Sequence, residues 1–258
     1  IAEHIGGDGI NIESLIGPDA NAHGFEPRPT DIQKLISADI ILINGLGFEG
    51  WSDSLLKSIN AHAKIVIASK EIIPLEGHHH DAHEPNHDAV ADPHAWQDVG
   101  NVRLYARTIA TALIDFDPDN HAVYEENLAR YDAALLVLDQ KIRATIASIP
   151  RDRRKLVTAH EAFAYFEKAY GVDMIAPLGI APEAQPSAKD VAALIAKIRT
   201  EHIPALCLET INDPRLIEQI AAETGAKIAG TLYSDTLSQK NGPAGTYIAM
   251  METNIRTL

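Results

Sequence analysis

The 258-residue sequence is poor in four things, and each shortage excludes something. It has a single cysteine, so no internal disulfide can form, and the redox compartment stays open. Cys207 lies in the apolar run 204–208, which predicts a buried strand thiol rather than a ligand or nucleophile. Basic residues are scarce: 22 Lys and Arg stand against 36 Asp and Glu, a net charge of −14. Phosphate contacts need cations, so nucleic acid is excluded as a partner. No apolar run approaches the roughly 20 residues of a membrane span. Aromatic residues make up only 5%, within a hydrophobic share of 46% dominated by Ile, Leu, Val and Ala. That balance suits parallel sheets covered by helices.

Strand-like and helix-like runs alternate along the chain, the signature of an α/β fold with mostly parallel sheets. Strands are predicted over residues 11–16, 39–43, 64–68, 155–158, 172–175, 205–208 and 227–232. Helices are predicted over residues 30–37, 51–59, 99–114, 162–170, 188–199 and 214–224, with a final one from residue 244. One segment breaks the rhythm. From residue 118 to 149 apolar side chains recur at Tyr124, Leu128, Tyr131, Leu135, Leu138, Ile142, Ile146 and Ile149, steps of three and four. Asp117 and Pro118 start this helix and Pro150 stops it. At 1.5 Å per residue it would reach about 48 Å, too long for one crossover. It is expected to join two lobes, residues 1–116 and 151–258, through a linking segment at 117–150. The opening Ile1-Ala2-Glu3-His4-Ile5-Gly6-Gly7 reads as the last turns of a helix with a glycine cap, so further residues are expected upstream of Ile1.

Histidine is abundant. Five of the twelve, His78, His79, His80, His83 and His87, lie in one eleven-residue run within a polar loop at about residues 76–92. His94 follows in Asp92-Pro93-His94-Ala95-Trp96. Imidazole is the commonest ligand for zinc, copper and nickel, so the tract reads as a metal-gathering loop.

Two other motifs are decoys. Gly45-Leu46-Gly47-Phe48-Glu49-Gly50 matches the dinucleotide pattern GxGxxG, with Glu71 at the distance of a ribose-binding acid. A glycine-rich turn from strand into helix is the better reading, because Glu71 falls past its strand. His160-Glu161 begins like a zinc-protease helix, but Ala164 stands where the second histidine would be. The isolated His4, His62, His121 and His202 are read as surface histidines.

A more specific set is scattered. His23, His94, His160 and Asp235 each follow a predicted strand, where open α/β sheets place their ligand sites. Two come from each half, so a cleft between lobes could gather them. Three neutral imidazoles and one carboxylate make a tetrahedral zinc set.

At these residues the chain resembles the metal-binding solute receptors of ABC importers, the zinc and manganese family called cluster A-I. The resemblance runs through 17–31 (GPDANAHGFEPRPTD), 44–49 (NGLGFE), 92–96 (DPHAW), 158–166 (TAHEAFAYF) and 230–235 (GTLYSD). It departs after Trp96, where Gln97-Asp98-Val99-Gly100 replaces the usual Leu-Asp-Pro. It implies two lobes joined by one rigid helix, with metal held between them by His23, His94, His160 and Asp235. It further implies a periplasmic or otherwise extracytoplasmic protein, membrane-associated if lipid-anchored upstream, that delivers its ion to an ABC permease. His160 at the third position is the zinc type, whereas manganese members carry a carboxylate there. The expectation is therefore a monomeric Zn(II) receptor, not an enzyme, with the His-rich loop as an accessory collector and a periplasmic metallochaperone as a further partner. The alternatives are a manganese receptor, an adhesin of the same fold, and a zinc hydrolase using Asp235 as base.

Overall fold

The computed structural model describes residues 1–59, 62–77, 91–180 and 186–258, without the side chain of Asp53. The five histidines of the His-rich run lie outside the described residues. No described helix is long and apolar enough to cross a membrane.

The first lobe contains α1 (Ala2–Gly6), α2 (Pro29–Ser37), β1 (Ile40–Ile43), α3 (Ser52–Ser58), β2 (Lys64–Ile67) and α4 (Val99–Phe116). β1 and β2 pair in parallel, Ile40 opposite Lys64 through Ile43 opposite Ile67. Leu35, Ile41 and Leu56 close a small core beneath them. α1 ends as its sequence demands: Gly7 takes φ 57°, a conformation that costs glycine little.

The expected strand at 11–16 is not one. Ile10 is extended, with φ −130° and ψ 148°, but residues 11–16 join no ladder. A groove of about 670 Å³, lined by Ile12, Leu15, Ile41 and Leu113 among others, separates them from the free edge of β1. A strand needs a hydrogen-bonded partner about 4.7–4.9 Å away, and residues 11–16 pair with none. The apolar residues Ile10, Ile12 and Leu15 suggested a strand pattern, which by itself supplies no partner.

The second lobe contains β3 (Lys155–Val157), α6 (Ala164–Tyr170), β4 (Asp173–Ile175), α7 (Ala188–Glu201), β5 (Ala205–Glu209), α8 (Arg215–Thr224), β6 (Lys227–Leu232) and α9 (Tyr247–Thr257). Its sheet is parallel throughout, in the order β4-β3-β5-β6. Leu206 and Cys207 are buried in β5, and burial pushes the thiol up to about 12. α7 and α8 cover one face through Leu194, Ile198, Ile217 and Ile220.

Between the lobes runs α5 (His121–Ser148), 28 residues and so about 42 Å long. It is shorter than expected, because Pro118–Asn120 form a 3₁₀ turn. The Asp117 carboxylate accepts from Asn120 Nδ2 and Tyr124 Oη, both at 2.8 Å, instead of capping α5 directly. The apolar stripe is otherwise as the spacing requires: Tyr124, Tyr131, Leu135, Leu138, Ile142 and Ile146 are buried, while Leu128 and Ile149 pack at its margin. Each fully buried side chain of this size stabilises by about 1.5–3 kcal/mol. The stripe packs with Ile5 and Val102 of the first lobe and with Phe166, Leu232 and Met251 of the second in one continuous core. This shared core is why α5 holds the two lobes in register.

Candidate metal centre

The four scattered residues meet. One ligand atom from each of His23, His94, His160 and Asp235 lies within 4.8 Å of all the others. His23 Nε2 is 3.3 Å from His94 Nε2 and 3.4 Å from Asp235 Oδ2. His94 Nε2 is 3.3 Å from Asp235 Oδ1, and His160 Nε2 is 3.0 Å from Asp235 Oδ2. A tetrahedron with metal–nitrogen distances of about 2.0–2.1 Å has edges of about 3.3–3.4 Å. The observed separations of 3.0–3.4 Å lie close to such edges, with the two Asp235 oxygens facing different histidines. His160 Nε2 and both Asp235 carboxylate oxygens are buried without a hydrogen bond, although they converge on one point. Buried polar atoms are normally paired, so an inward-facing unpaired set of donors suits a cation.

Local structure explains each placement. His160 follows β3 and is fixed by a parallel bridge to Leu178. Asp235 follows β6 by three residues. His94 precedes the 3₁₀ turn Ala95–Gln97, which leads into α4, where Asp98 caps Gly100 N at 2.7 Å. His23 lies on the loop before α2, its N–H donating to Asn21 Oδ1 at 2.9 Å and its ring set edge-on to Phe48.

The halves are tied beside the site. Trp96 Nε1 and Gln97 Nε2 both donate to the Ser234 carbonyl, at 2.8 and 2.9 Å, which sets His94 against Asp235. Tyr247 Oη donates to Trp96 O at 2.8 Å. Tyr165, from α6, accepts from Leu75 N at 2.9 Å and donates to Asp92 O at 3.0 Å. Asp92 N in turn donates to Leu75 O, and an antiparallel bridge joins Glu76 to Ala91, so the chain is pinched where the His-rich loop leaves it.

Two carboxylates absent from the sequence reading stand behind the histidines. Asp92 Oδ1 is 2.7 Å from His94 Nδ1, and Glu209 Oε2 is 2.6 Å from His160 Nδ1. Both are buried, as is Asp235. Asp92 was visible as an acid two residues before a histidine. Glu209 was visible as an acid ending a buried apolar strand, but only the β3–β5 pairing brings it to His160. Burial pulls the His160 imidazole down, yet Glu209 and Asp235 outweigh it and raise its proton affinity well above the ordinary histidine value. Burial would raise the Asp235 carboxyl, but His160 and His94 hold it below the usual carboxylate range. Three buried anions around three imidazoles leave a net −1 once a dication and neutral rings are counted, so the centre attracts cations.

The decoys resolve. In the GxGxxG turn Gly45, Leu46 and Gly47 all have positive φ, and Glu49 accepts from Asn44 N at 2.6 Å and Gly45 N at 3.0 Å. The turn's amides are thus taken by its own carboxylate, leaving none of these for a phosphate. The turn instead presents Phe48 to His23 and Trp96. His4, His62, His121 and His202 are exposed, as expected.

Known proteins resemble the chain along its whole length. The family model described as "ZnuA: Zinc-uptake complex component A periplasmic" matches residues 1–258. The chain is 34% identical to the iron-binding protein YfeA of Yersinia pestis, over 100% of this chain and 81% of that protein. It is 31% identical to the manganese ABC transporter substrate-binding lipoprotein PsaA of Streptococcus pneumoniae, over 100% and 84%. Among solved structures it matches the periplasmic zinc-binding protein TroA of Treponema pallidum with TM-score 0.90 and 27% identity, covering 99% of this chain and 92% of that one. A hydrolase is thereby set aside: the chain is a metal-transporter substrate-binding protein rather than an enzyme, and it belongs to the ZnuA family.

Proposed function

We propose that the chain is an extracytoplasmic, high-affinity Zn(II) receptor that hands its ion to an ABC permease, with His23, His94, His160 and Asp235 as the ligands. The observation that carries this reading is the donor set, three imidazole nitrogens and one carboxylate gathered within 4.8 Å of one another. Nitrogen-rich four-coordinate sites favour zinc, whereas manganese prefers octahedral oxygen. The rings bind as neutral imidazoles, and Asp235 offsets part of the metal's charge. Residues 1–116, 117–150 and 151–258 are the two lobes and their link. The protein acts as a periplasmic monomer, membrane-associated if lipid-anchored upstream. The loop at His78, His79, His80, His83 and His87 is a weaker accessory collector, because closing it over metal costs ordering entropy. It is also a surface for a metallochaperone.

A manganese receptor is the second reading, favoured by relatives such as PsaA whose names carry that metal. Competition between zinc and manganese on the purified chain, with His160→Ala alongside, separates the two. Zinc preference lost in the variant supports the proposal; manganese preference in the wild type overturns it. Deleting residues 77–88 should leave one tight zinc equivalent in calorimetry, and loss of all tight binding would refute the ligand assignment.

A further inference from the structure

We propose that Glu209 is the positioning residue of the third ligand: it fixes the His160 ring with Nδ1 protonated and Nε2 turned to the metal. The inference rests on the zinc-site reading above and assigns a role outside its four ligands.

β5 lies beside β3, so the last residue of β5 faces the stretch that follows β3. Glu209 Oε1 accepts from Ala159 N at 2.7 Å and from His160 N at 3.1 Å. Its Oε2 stands 2.6 Å from His160 Nδ1. One carboxylate therefore grips both the main chain and the ring of the same histidine. Asn212 Nδ2 is 3.2 Å from Glu209 Oε2 and 3.2 Å from His160 Nδ1. The amide and the carboxylate make opposite demands on Nδ1, and the distances decide between them. An ionised carboxylate only accepts, so the shorter contact requires a proton on Nδ1. Asp235 Oδ2, 3.0 Å from Nε2, favours a proton there, and that is the proton a cation would replace, leaving a neutral ring with Nδ1 still protonated. Asn212 then serves Oε2.

A second element repeats the device. Asp92 Oδ1 takes the His94 backbone N–H at 2.9 Å and faces His94 Nδ1 at 2.7 Å. Two buried carboxylates on unrelated segments thus hold two histidines in the same way, through backbone and ring together. Among the described residues no carboxylate plays this part for His23, whose only acidic neighbour is Asp235 on the Nε2 side. Carboxylates behind metal-bound histidines set the tautomer and raise the donor strength of the ring.

The test uses the full chain and zinc alone, with affinity read by competition against a chelator. Glu209→Gln can keep its oxygen on the two backbone N–H groups only by turning its NH2 toward Nδ1, where it donates instead of accepting the ring proton. It should weaken zinc binding roughly 10–100-fold. In the His160→Ala background the same substitution should change nothing further, because its effect passes through the ring. An equal loss in both backgrounds would mean a merely structural role and overturn the proposal, as would unchanged affinity in the wild-type background. Nitrogen-15 NMR of the zinc-loaded wild type gives a reading independent of any variant's folding. His160 Nδ1 should carry a slowly exchanging proton, and an unprotonated Nδ1 refutes the assignment. If His160→Ala itself leaves zinc affinity intact, the zinc-site reading fails; if His160→Ala weakens binding and Glu209→Gln does not, only the role of Glu209 fails.

Discussion

Tyr165→Phe isolates one hydroxyl that spans the two halves of the molecule. The ring is buried among Ala68, Ile72, Ala95 and Tyr105, and phenylalanine preserves that packing. What disappears is the hydroxyl that accepts from Leu75 N and donates to Asp92 O. Each hydrogen bond is worth about 1 kcal/mol net, and a stranded buried partner adds about 1–3 kcal/mol. Asp92 is buried and Leu75 half-buried, so only the Leu75 amide has ready access to water. The expected loss is about 2–3 kcal/mol. For a chain of this size about 2–4 °C accompanies each kcal/mol, so the metal-free Tm should fall by about 5–10 °C. Thermal unfolding in a chelator measures the first effect, and amide hydrogen exchange at Leu75 measures the second, since its protection should be lost. Zinc affinity should weaken several-fold, because Asp92 also grips His94. A Tm within about 1 °C of wild type, with Leu75 still protected, would refute the idea that this hydroxyl ties the halves together.

The remaining tests address the charge of the site and the core beneath it. Glu209 and Asp235 favour the charged His160 ring, and zinc must displace its Nε2 proton, so binding should release protons and tighten as pH rises past 6.5. Calorimetry in buffers of different ionisation enthalpy measures this, and no proton release at neutral pH would contradict it. In the metal-free protein the sign is opposite. His160, with a raised folded value, contributes stability that is present below pH 6.5 and lost as pH climbs through that value. The depressed Asp235 carboxyl contributes above about pH 3.9 and loses its contribution as pH falls through its folded value. Chelated protein should therefore melt lower at pH 9 than at pH 6, while the zinc-loaded form should not. Asp235→Asn removes the negative charge that faces three imidazoles and should weaken zinc binding by orders of magnitude while sharply reducing proton release, both read in the same titrations. Leu135→Ala, in the fully buried middle of the α5 stripe, should cost about 2–5 kcal/mol in chemical denaturation without changing the number of zinc sites.

The sequence was most legible where function follows from position along a strand. His94, His160 and Asp235 were named from their places after strands that form, and the fold gathers them with His23, although the strand expected before His23 is absent. The α5 stripe was readable because helical periodicity is local, and only its first turn was misjudged, where Pro118 favours a tighter turn. Residues 11–16 misled because an apolar pattern does not include a partner strand. Glu209 and Tyr165 were missed for a related reason. Glu209 is 49 residues from the histidine it grips, and Tyr165 is 73 residues from Asp92. Such pairs depend on sheet order and lobe packing, which no local window contains.

The pinch at Leu75, Glu76, Ala91 and Asp92 has a consequence for how this protein can vary. Residues 77–90 leave and return through a neck secured from the opposite lobe. The entropy of closing a loop grows only with the logarithm of its length, about 0.6 kcal/mol for each doubling. Insertions and deletions distal to the neck are therefore nearly free of thermodynamic penalty and exert no leverage on His94. The neck works as a grafting point: tags, reporter peptides or longer histidine tracts placed there should leave the buried centre unchanged.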